Sequence, residues 1–169
     1  MRVLGIDPGY ERVGMAVLEK KAGEESLLFS CCFKTSAALP FPQRLLAIGE
    51  KTREVIAAHA PDAIAIEKLF FNSNQKTALL VSEARGVVLY EAIRAGLSVY
   101  EYTPLQIKMA VVGYGRGTKD QVQAMVGRLL ILPTGRASGI SSKIITSDDE
   151  FDAIAVGLTS LASERIPCV

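Results

Sequence analysis

The sequence predicts an α/β fold, and three observations predict it. Strand-like segments joined by tight turns fill the N-terminal third, a helical period takes over after Pro40-Phe41-Pro42, and two short apolar segments then alternate with helices. Size and composition fit one domain. A chain of 169 residues with 49% hydrophobic and 22% charged side chains can bury a sizeable core, which excludes a disordered chain, a collagen-like fibre and a disulfide miniprotein. With no internal repeat and no second domain in the pattern, residues 1–169 read as a single domain.

Residues 2–7 alternate weakly and stop at Asp7-Pro8-Gly9, where Pro suits the second position of a tight turn and Gly the third. Residues 13–19 give the second strand. Residues 27–34, rich in Leu, Phe and Cys, give the third, with Ala22-Gly23-Glu24 as the connection, so the opening is an antiparallel meander. The first helix sets Leu45, Ile48, Val55 and Ile56 on one side and Arg44, Glu50, Lys51 and Glu54 on the other, and Pro61 stops it. Residues 63–67 form an apolar segment suited to a buried central strand, 76–94 a longer helix and 98–102 the fifth strand. Helices follow over 104–112, 119–130 and 149–162, and the lone His59 is a helix-end residue. Between the last two helices, residues 134–148 are rich in Gly, Ser and Thr and read as a flexible loop.

The helix over 76–94 is apolar around more of its circumference than one buried stripe requires, with Leu79, Leu80, Val81, Val87, Val88, Leu89 and Ile93 among its residues. It should pack on two surfaces. One is the sheet, and the other is either a partner subunit or a further element of the same monomer.

The net charge of +1 does not by itself mark a nucleic-acid binder, but the charge is unevenly placed. Between positions 106 and 143 stand Lys108, Arg116, Lys119, Arg128, Arg136 and Lys143 against Asp120 alone, which suggests an oriented positive surface. Cys31 and Cys32 are adjacent on a strand and point to opposite faces, and Cys168 is isolated, so neither a disulfide nor a Cys/His metal site is expected. There is no signal-peptide pattern and no apolar run near the roughly 18 to 20 residues of a bilayer span. A soluble, cytoplasmic protein is expected.

The candidate chemistry is carried by acids. Asp7 stands where a rigid strand meets a sharp turn; an ordinary turn aspartate would look the same. Glu67 ends an apolar strand, where a carboxylate is costly to bury without a cation or hydrogen bonds, unless the strand end is solvated. Asp148-Asp149-Glu150-Phe151-Asp152 opens the last helix. Ser147 with Glu150 forms a capping-box pattern there, and acids at a helix N-terminus favour the macrodipole. That account leaves Asp152 at the head of a very apolar stretch, with Asp149 three residues earlier on the same face. Convergence of Asp149 and Asp152 with Asp7 and Glu67 would make an all-oxygen site suited to Mg²⁺ or Mn²⁺. Two such cations about 4 Å apart supply an activated water and a stabilised leaving oxygen for in-line attack on phosphorus.

Five strings then carry a resemblance: Leu4-Gly5-Ile6-Asp7-Pro8-Gly9 with Gly14, the run from Ile64 to Asn72, Glu83-Ala84-Arg85-Gly86-Val87, the run from Tyr102 to Lys108, and Asp149-Glu150-Phe151-Asp152-Ala153. In this order, over nearly the whole chain, they resemble the bacterial RuvC family of Holliday junction resolvases. The resemblance implies an RNase H-like fold, a five-stranded mixed sheet flanked by helices, and a homodimer that cuts four-way DNA by paired symmetric nicks. It implies Asp7, Glu67, Asp149 and Asp152 as catalytic metal ligands and Phe70 as a ring that stacks near the junction centre, with Phe71 beside it. Lys108 and Lys119 match residues directed at backbone phosphate, and Thr118-Lys119-Asp120-Gln121 is itself a capping-box pattern. Arg116, in Gly113-Tyr114-Gly115-Arg116-Gly117, belongs either to a DNA-facing loop or to a plain interhelix connection, and Arg85 is assigned to packing or to the dimer helix. A branch-migration helicase is the further partner implied.

One departure from the family is the long segment between Leu132-Pro133 and Asp149, which leaves room for a shifted last helix or an added DNA contact. Two other readings stand beside the nuclease: a non-catalytic module that binds junctions without cutting, and an actin-like phosphotransferase using Asp7-Pro8-Gly9. The second normally needs two lobes, for which the chain is short.

Overall fold

The computed structural model describes residues 1–69, 75–130, 145 and 147–163. Its strands are β1 (Arg2–Asp7), β2 (Arg12–Lys21), β3 (Glu24–Lys34), β4 (Ala63–Glu67) and β5 (Ser98–Tyr102). Its helices are α1 (Phe41–His59), α2 (Gln75–Arg94), α3 (Pro104–Val112), α4 (Lys119–Leu129) and α5 (Asp148–Ser163). The strands form one sheet in the order β3-β2-β1-β4-β5. The meander β1-β2-β3 is antiparallel as expected, whereas β4 runs parallel to β1 and β5 parallel to β4, so the sheet is mixed.

The β2-β3 hairpin is longer than the apolar pattern indicates, because charged residues complete it: Lys20 pairs with Glu25 and Lys21 with Glu24. Its two connecting residues, Ala22 and Gly23, both adopt positive φ, the backbone twist that a two-residue hairpin turn needs. Helix α1 ends where expected, on a left-handed Ala60 just ahead of Pro61. Cys31 and Cys32 lie on opposite faces of β3: Cys31 packs with the layer of α1 and α2, and Cys32 faces α5.

Strand alternation divides the core into two layers. Leu4, Ile6, Val13, Met15, Val17, Ile64 and Ile66 point toward α1 and α2. Val3, Ala16, Leu18 and Ala65 point toward α5, which lies directly on the sheet and carries α3 and α4 on its outer side. On α2, Ala84, Val88 and Ala92 are buried, but Leu79, Tyr90 and Ile93 stand 68%, 64% and 63% exposed. The second apolar surface of α2 is therefore not covered within the described part of the chain. No helix among the described residues is long and apolar enough to cross a membrane.

Candidate active site

Two parallel strands bring the first two acids together. In the β1-β4 register Ile6 pairs with Ile66, so the next residues along, Asp7 and Glu67, end neighbouring strands at the same edge of the sheet. Because Leu4, Ile6, Ile64 and Ile66 point toward α1 and α2, the period of two turns Asp7 and Glu67 to the opposite face, where α5 lies. The other two acids, Asp149 and Asp152, occupy the first two turns of α5.

Glycines set the depth at which that helix sits. A Cβ on Gly14 would collide with the carbonyl oxygen of Asp149, and one on Gly5 with the carbonyl of Ala153 and, at 2.8 Å, with the backbone nitrogen of Gly157. The backbone of α5 thus touches the backbones of β1 and β2, and its first turns cannot ride outward on intervening side chains.

The acids act on one another. Burial, followed by the charges of Asp152, Glu67 and Asp149, pushes the Asp7 carboxyl up to about 7, with Lys119 opposing. Burial and then Asp152 push Glu67 upward as well, and burial raises Asp152 despite its bond to Lys119. These directions mark a place where negative charge is held in excess of what nearby cations neutralise. Lys119, whose helix α4 begins with the expected capping box at Thr118, reaches Asp152 at 3.1 Å and Asp148 at 3.4 Å. Asp148 also accepts from Gln123 at 3.0 Å, tying α4 to the start of α5.

Two clefts flank the acids. One of about 260 Å³ is lined by Glu67, Asp152, Lys108 and Lys119 over an apolar floor of Pro104, Ile107, Val122 and Ala155. The other, about 180 Å³, runs past Asp7, Asp149, Tyr10 and Arg12. The structure thus gathers all four sequence-predicted acids and two of the predicted cations at one end of the sheet. It does not close them into a cage: among the described residues no three acids, histidines or cysteines stand at the spacing of a bound metal. Arg116 is exposed in the connection between α3 and α4, and Phe70 and Phe71 lie outside the described residues.

Four neighbours of the acids were not read from the sequence as part of this site: Arg85, Cys32, Ser147 and Arg12, the last 3.6 Å from Asp149. Arg85, assigned from the sequence to packing or to the dimer helix, donates from Nε to the Glu67 carbonyl at 3.4 Å and pairs with Glu101 on β5. Cys32 Sγ donates to Asp149 Oδ2 at 3.4 Å, and Ser147 Oγ donates to the same oxygen at 3.1 Å. Of the two residues of the expected capping box at α5, Ser147 donates its hydroxyl to Asp149, and the Glu150 carboxylate accepts from Ser30 on β3 at 2.8 Å. Only the strand face of Cys32 could have signalled this, since the approach of α5 to β3 is a tertiary fact.

Comparison with known proteins places this arrangement. The family model for crossover junction endodeoxyribonuclease RuvC matches residues 3–160. The RuvC of Caldicellulosiruptor saccharolyticus is 43% identical over 164 residues, covering 96% of this chain and 93% of the relative, and that of Moorella thermoacetica is 45% identical over 158 residues, covering 94% and 89%. Among solved structures, Thermus thermophilus RuvC superposes with a TM-score of 0.80 at 34% identity over 96% of this chain and 94% of that one. The same protein in complex with Holliday junction substrate matches with a TM-score of 0.80 at 36% identity, over 94% of this chain and 92% of that one. The yeast mitochondrial resolvase Ydc2, at 12% identity and a TM-score of 0.68, shares the fold alone. With its RNase H-like five-stranded mixed sheet and a match that spans nearly its whole length, the chain belongs to the RuvC family.

Proposed function

We propose that this chain is a Mg²⁺-dependent crossover junction endodeoxyribonuclease that acts as a homodimer, binds four-way DNA and resolves it by paired symmetric nicks during recombination and repair. The observation that carries the reading is the meeting of four carboxylates from β1, β4 and α5 beside Lys119 and Lys108, on a scaffold shared with a RuvC solved on its junction substrate. The donor set fits a hard divalent cation: it is all oxygen, and Asp7, Glu67 and Asp152 are all held above their ordinary carboxyl range by burial and mutual charge. Asp7, Glu67, Asp149 and Asp152 would hold two Mg²⁺, with Mn²⁺ as a substitute. When bound, the metal supplies Lewis acidity and an activated water for hydrolysis of the phosphodiester.

The chain's own residues do the rest. The rigid β1 and β4 fix Asp7 and Glu67, while the backbone seat on Gly5 and Gly14 fixes the two acids of α5, so the ligands are placed before substrate arrives. Lys108 and Lys119 line the cleft beside Glu67 and hold backbone phosphate there, and Arg116, exposed between α3 and α4, adds positive charge for the DNA. Phe70 stacks on an unpaired base near the junction centre. The exposed apolar side of α2 joins two copies, and a branch-migration helicase is the further partner. Residues 1–169 form one nuclease domain working in the cytoplasm; most of the segment read as a loop, 134–144 and 146, lies outside the described residues, and Asp148 already opens α5.

The test is cleavage of an end-labelled mobile four-way junction in Mg²⁺, beside a linear duplex and an RNA/DNA hybrid of the same sequence. Symmetric nicks in the junction alone are expected. Glu67→Gln, which removes a ligand's charge and little volume, should abolish cutting and leave junction binding intact. Binding without cuts in both Mg²⁺ and Mn²⁺ would instead make the protein a non-catalytic junction-binding module.

A further inference from the structure

Asp149 is held differently from the other three acids. Ser147 Oγ donates to its Oδ2 at 3.1 Å, Cys32 Sγ donates to the same oxygen at 3.4 Å, and the Arg12 guanidinium stands 3.6 Å from it. The three groups come from separate places: β2, β3 and the residue just before α5. Among the described residues, none of these contacts falls on Oδ1.

A carboxyl group turns about a broad, two-fold terminal torsion, so donors that fix one oxygen also fix where the other points. We propose that Cys32 and Ser147 are positioning residues for Asp149: they hold Oδ2 and reserve Oδ1 for a divalent cation. The inference rests on the reading of Asp149 as a metal ligand. Arg12 is the weaker restraint, because its side chain is 61% exposed and a solvated ion pair orients little. Cys32 is the stronger, because β pairing sets it opposite Gly14, the residue whose missing side chain lets the first turn of α5 reach the strand. The close approach that delivers Asp149 and the donor that orients it are thus two halves of one local arrangement. Ligating carboxylates are commonly held in this way by hydrogen bonds from outside the coordination shell, and loss of such a partner typically costs about 10- to 100-fold in metal affinity.

Two readouts on the full chain test the proposal. The first is Mn²⁺ binding without DNA, followed by the paramagnetic resonance of free Mn²⁺. The second is the Mg²⁺ concentration for half-maximal junction cutting. Cys32→Ala and Ser147→Ala should each weaken Mn²⁺ binding and raise the half-maximal Mg²⁺ about tenfold. Cys32→Ser, which restores a donor, should return both toward wild type, and junction binding in metal-free buffer should not change in any of the three. Wild-type Mn²⁺ binding in both alanine variants, with Asp149→Asn impaired, overturns the positioning role and leaves the ligand reading standing. Wild-type binding and cutting by Asp149→Asn overturns the ligand reading itself. Should Cys32→Ala not fold, Ser147→Ala carries the same test from a position outside the sheet.

Discussion

The two faces of the sheet are built from different materials. Toward α1 and α2 the central strands present Leu4, Ile6, Met15, Val17, Ile64 and Ile66, large side chains that keep helix and sheet backbones apart. Toward α5 the same strands present Val3 and Leu18 at the end away from the acids but Gly5, Gly14, Ala16 and Ala65 elsewhere, and α5 answers with Ala153, Ala155 and Gly157. Both faces bury apolar surface. Only the second puts backbone on backbone, which leaves no side chain to absorb a shift, and it is the face that carries Asp149 and Asp152. One layer supplies burial and the other supplies position.

Adding a single methyl group to each layer tests this contrast most severely. Gly14→Ala drives a Cβ into the Asp149 carbonyl and to within 3.2 Å of the Ala153 Cβ, so the first turn of α5 must move. We expect a loss of about 3 kcal/mol or more in stability and at least about a hundredfold loss of junction cutting. Gly49→Ala, in α1, meets the flexible end of Val87 at 3.0 Å and Glu91 only at the ordinary contact distances of 3.8 and 3.9 Å, and gains helix propensity of about 1 kcal/mol. Its melting temperature and cutting rate should stay near wild type. Equal losses in the two variants would break the comparison.

The position layer also stores repulsion. An Asp7 carboxyl near 7 in the folded chain, against about 4 unfolded, means the folded state binds the extra proton between those values. The contribution of these acids to the stability of the metal-free protein should therefore be greatest below about pH 4 and be lost as pH rises to about 7, with Glu67 and Asp152 acting in the same direction as Asp7 and the lowered Glu91 and Asp148 opposing them at the acid end. Calorimetry in chelator should show this slope, worth on the order of 4 kcal/mol. Asp7→Asn should remove most of the slope, stabilise the metal-free chain at pH 8, and abolish cutting. At that pH, Mg²⁺ should raise the melting temperature of the wild type and do so far less for the variant.

The burial layer offers its own test at the outer side of α2. If Leu79, Tyr90 and Ile93 meet a second copy, Ile93→Asp should weaken the dimer at least about tenfold by sedimentation, since an aspartate would be buried unpaired. Ile93 is already 63% exposed in the single chain, so the monomer's own stability should change little. An unchanged dimer would return that surface to solvent.

The contrast between layers also explains what could be read in advance. Periodicity and turn signals located the strands and helices of the described residues, because period and chain order are local properties, whereas the shared face of Asp7 and Glu67 depends on the β1-β4 register, which is not local. The ends of the β2-β3 hairpin were hidden because Lys20, Lys21, Glu24 and Glu25 pair through backbone while carrying no apolar signal. Gly5 and Gly14 were visible as residues but not as the seat of α5, since a strand glycine looks the same whether a helix rests on it or not. Arg85 and Cys32 depend on that same long-range packing: the first reaches the Glu67 carbonyl and the second the Asp149 carboxylate only once α2 or α5 is laid on the sheet.

The smallest expected effect compares one lysine from each layer. Lys119, on the position side, shares its ammonium between Asp152 and Asp148, and Lys51, on the burial side, pairs with Glu54 at 2.8 Å. If Lys119 holds a backbone phosphate, DNA must draw it from carboxylates that are themselves neutralised when cations bind, and the contact then releases about one counterion. Lys119→Ala should therefore reduce the slope of log K against log salt for junction binding by about one. Lys51→Ala should leave the slope where it was. A reduced slope in both variants would show that the positive surface is diffuse. A reduction in Lys119→Ala alone would place phosphate recognition in the same layer as the acids, so that one face of the sheet both grips the strand and cuts it.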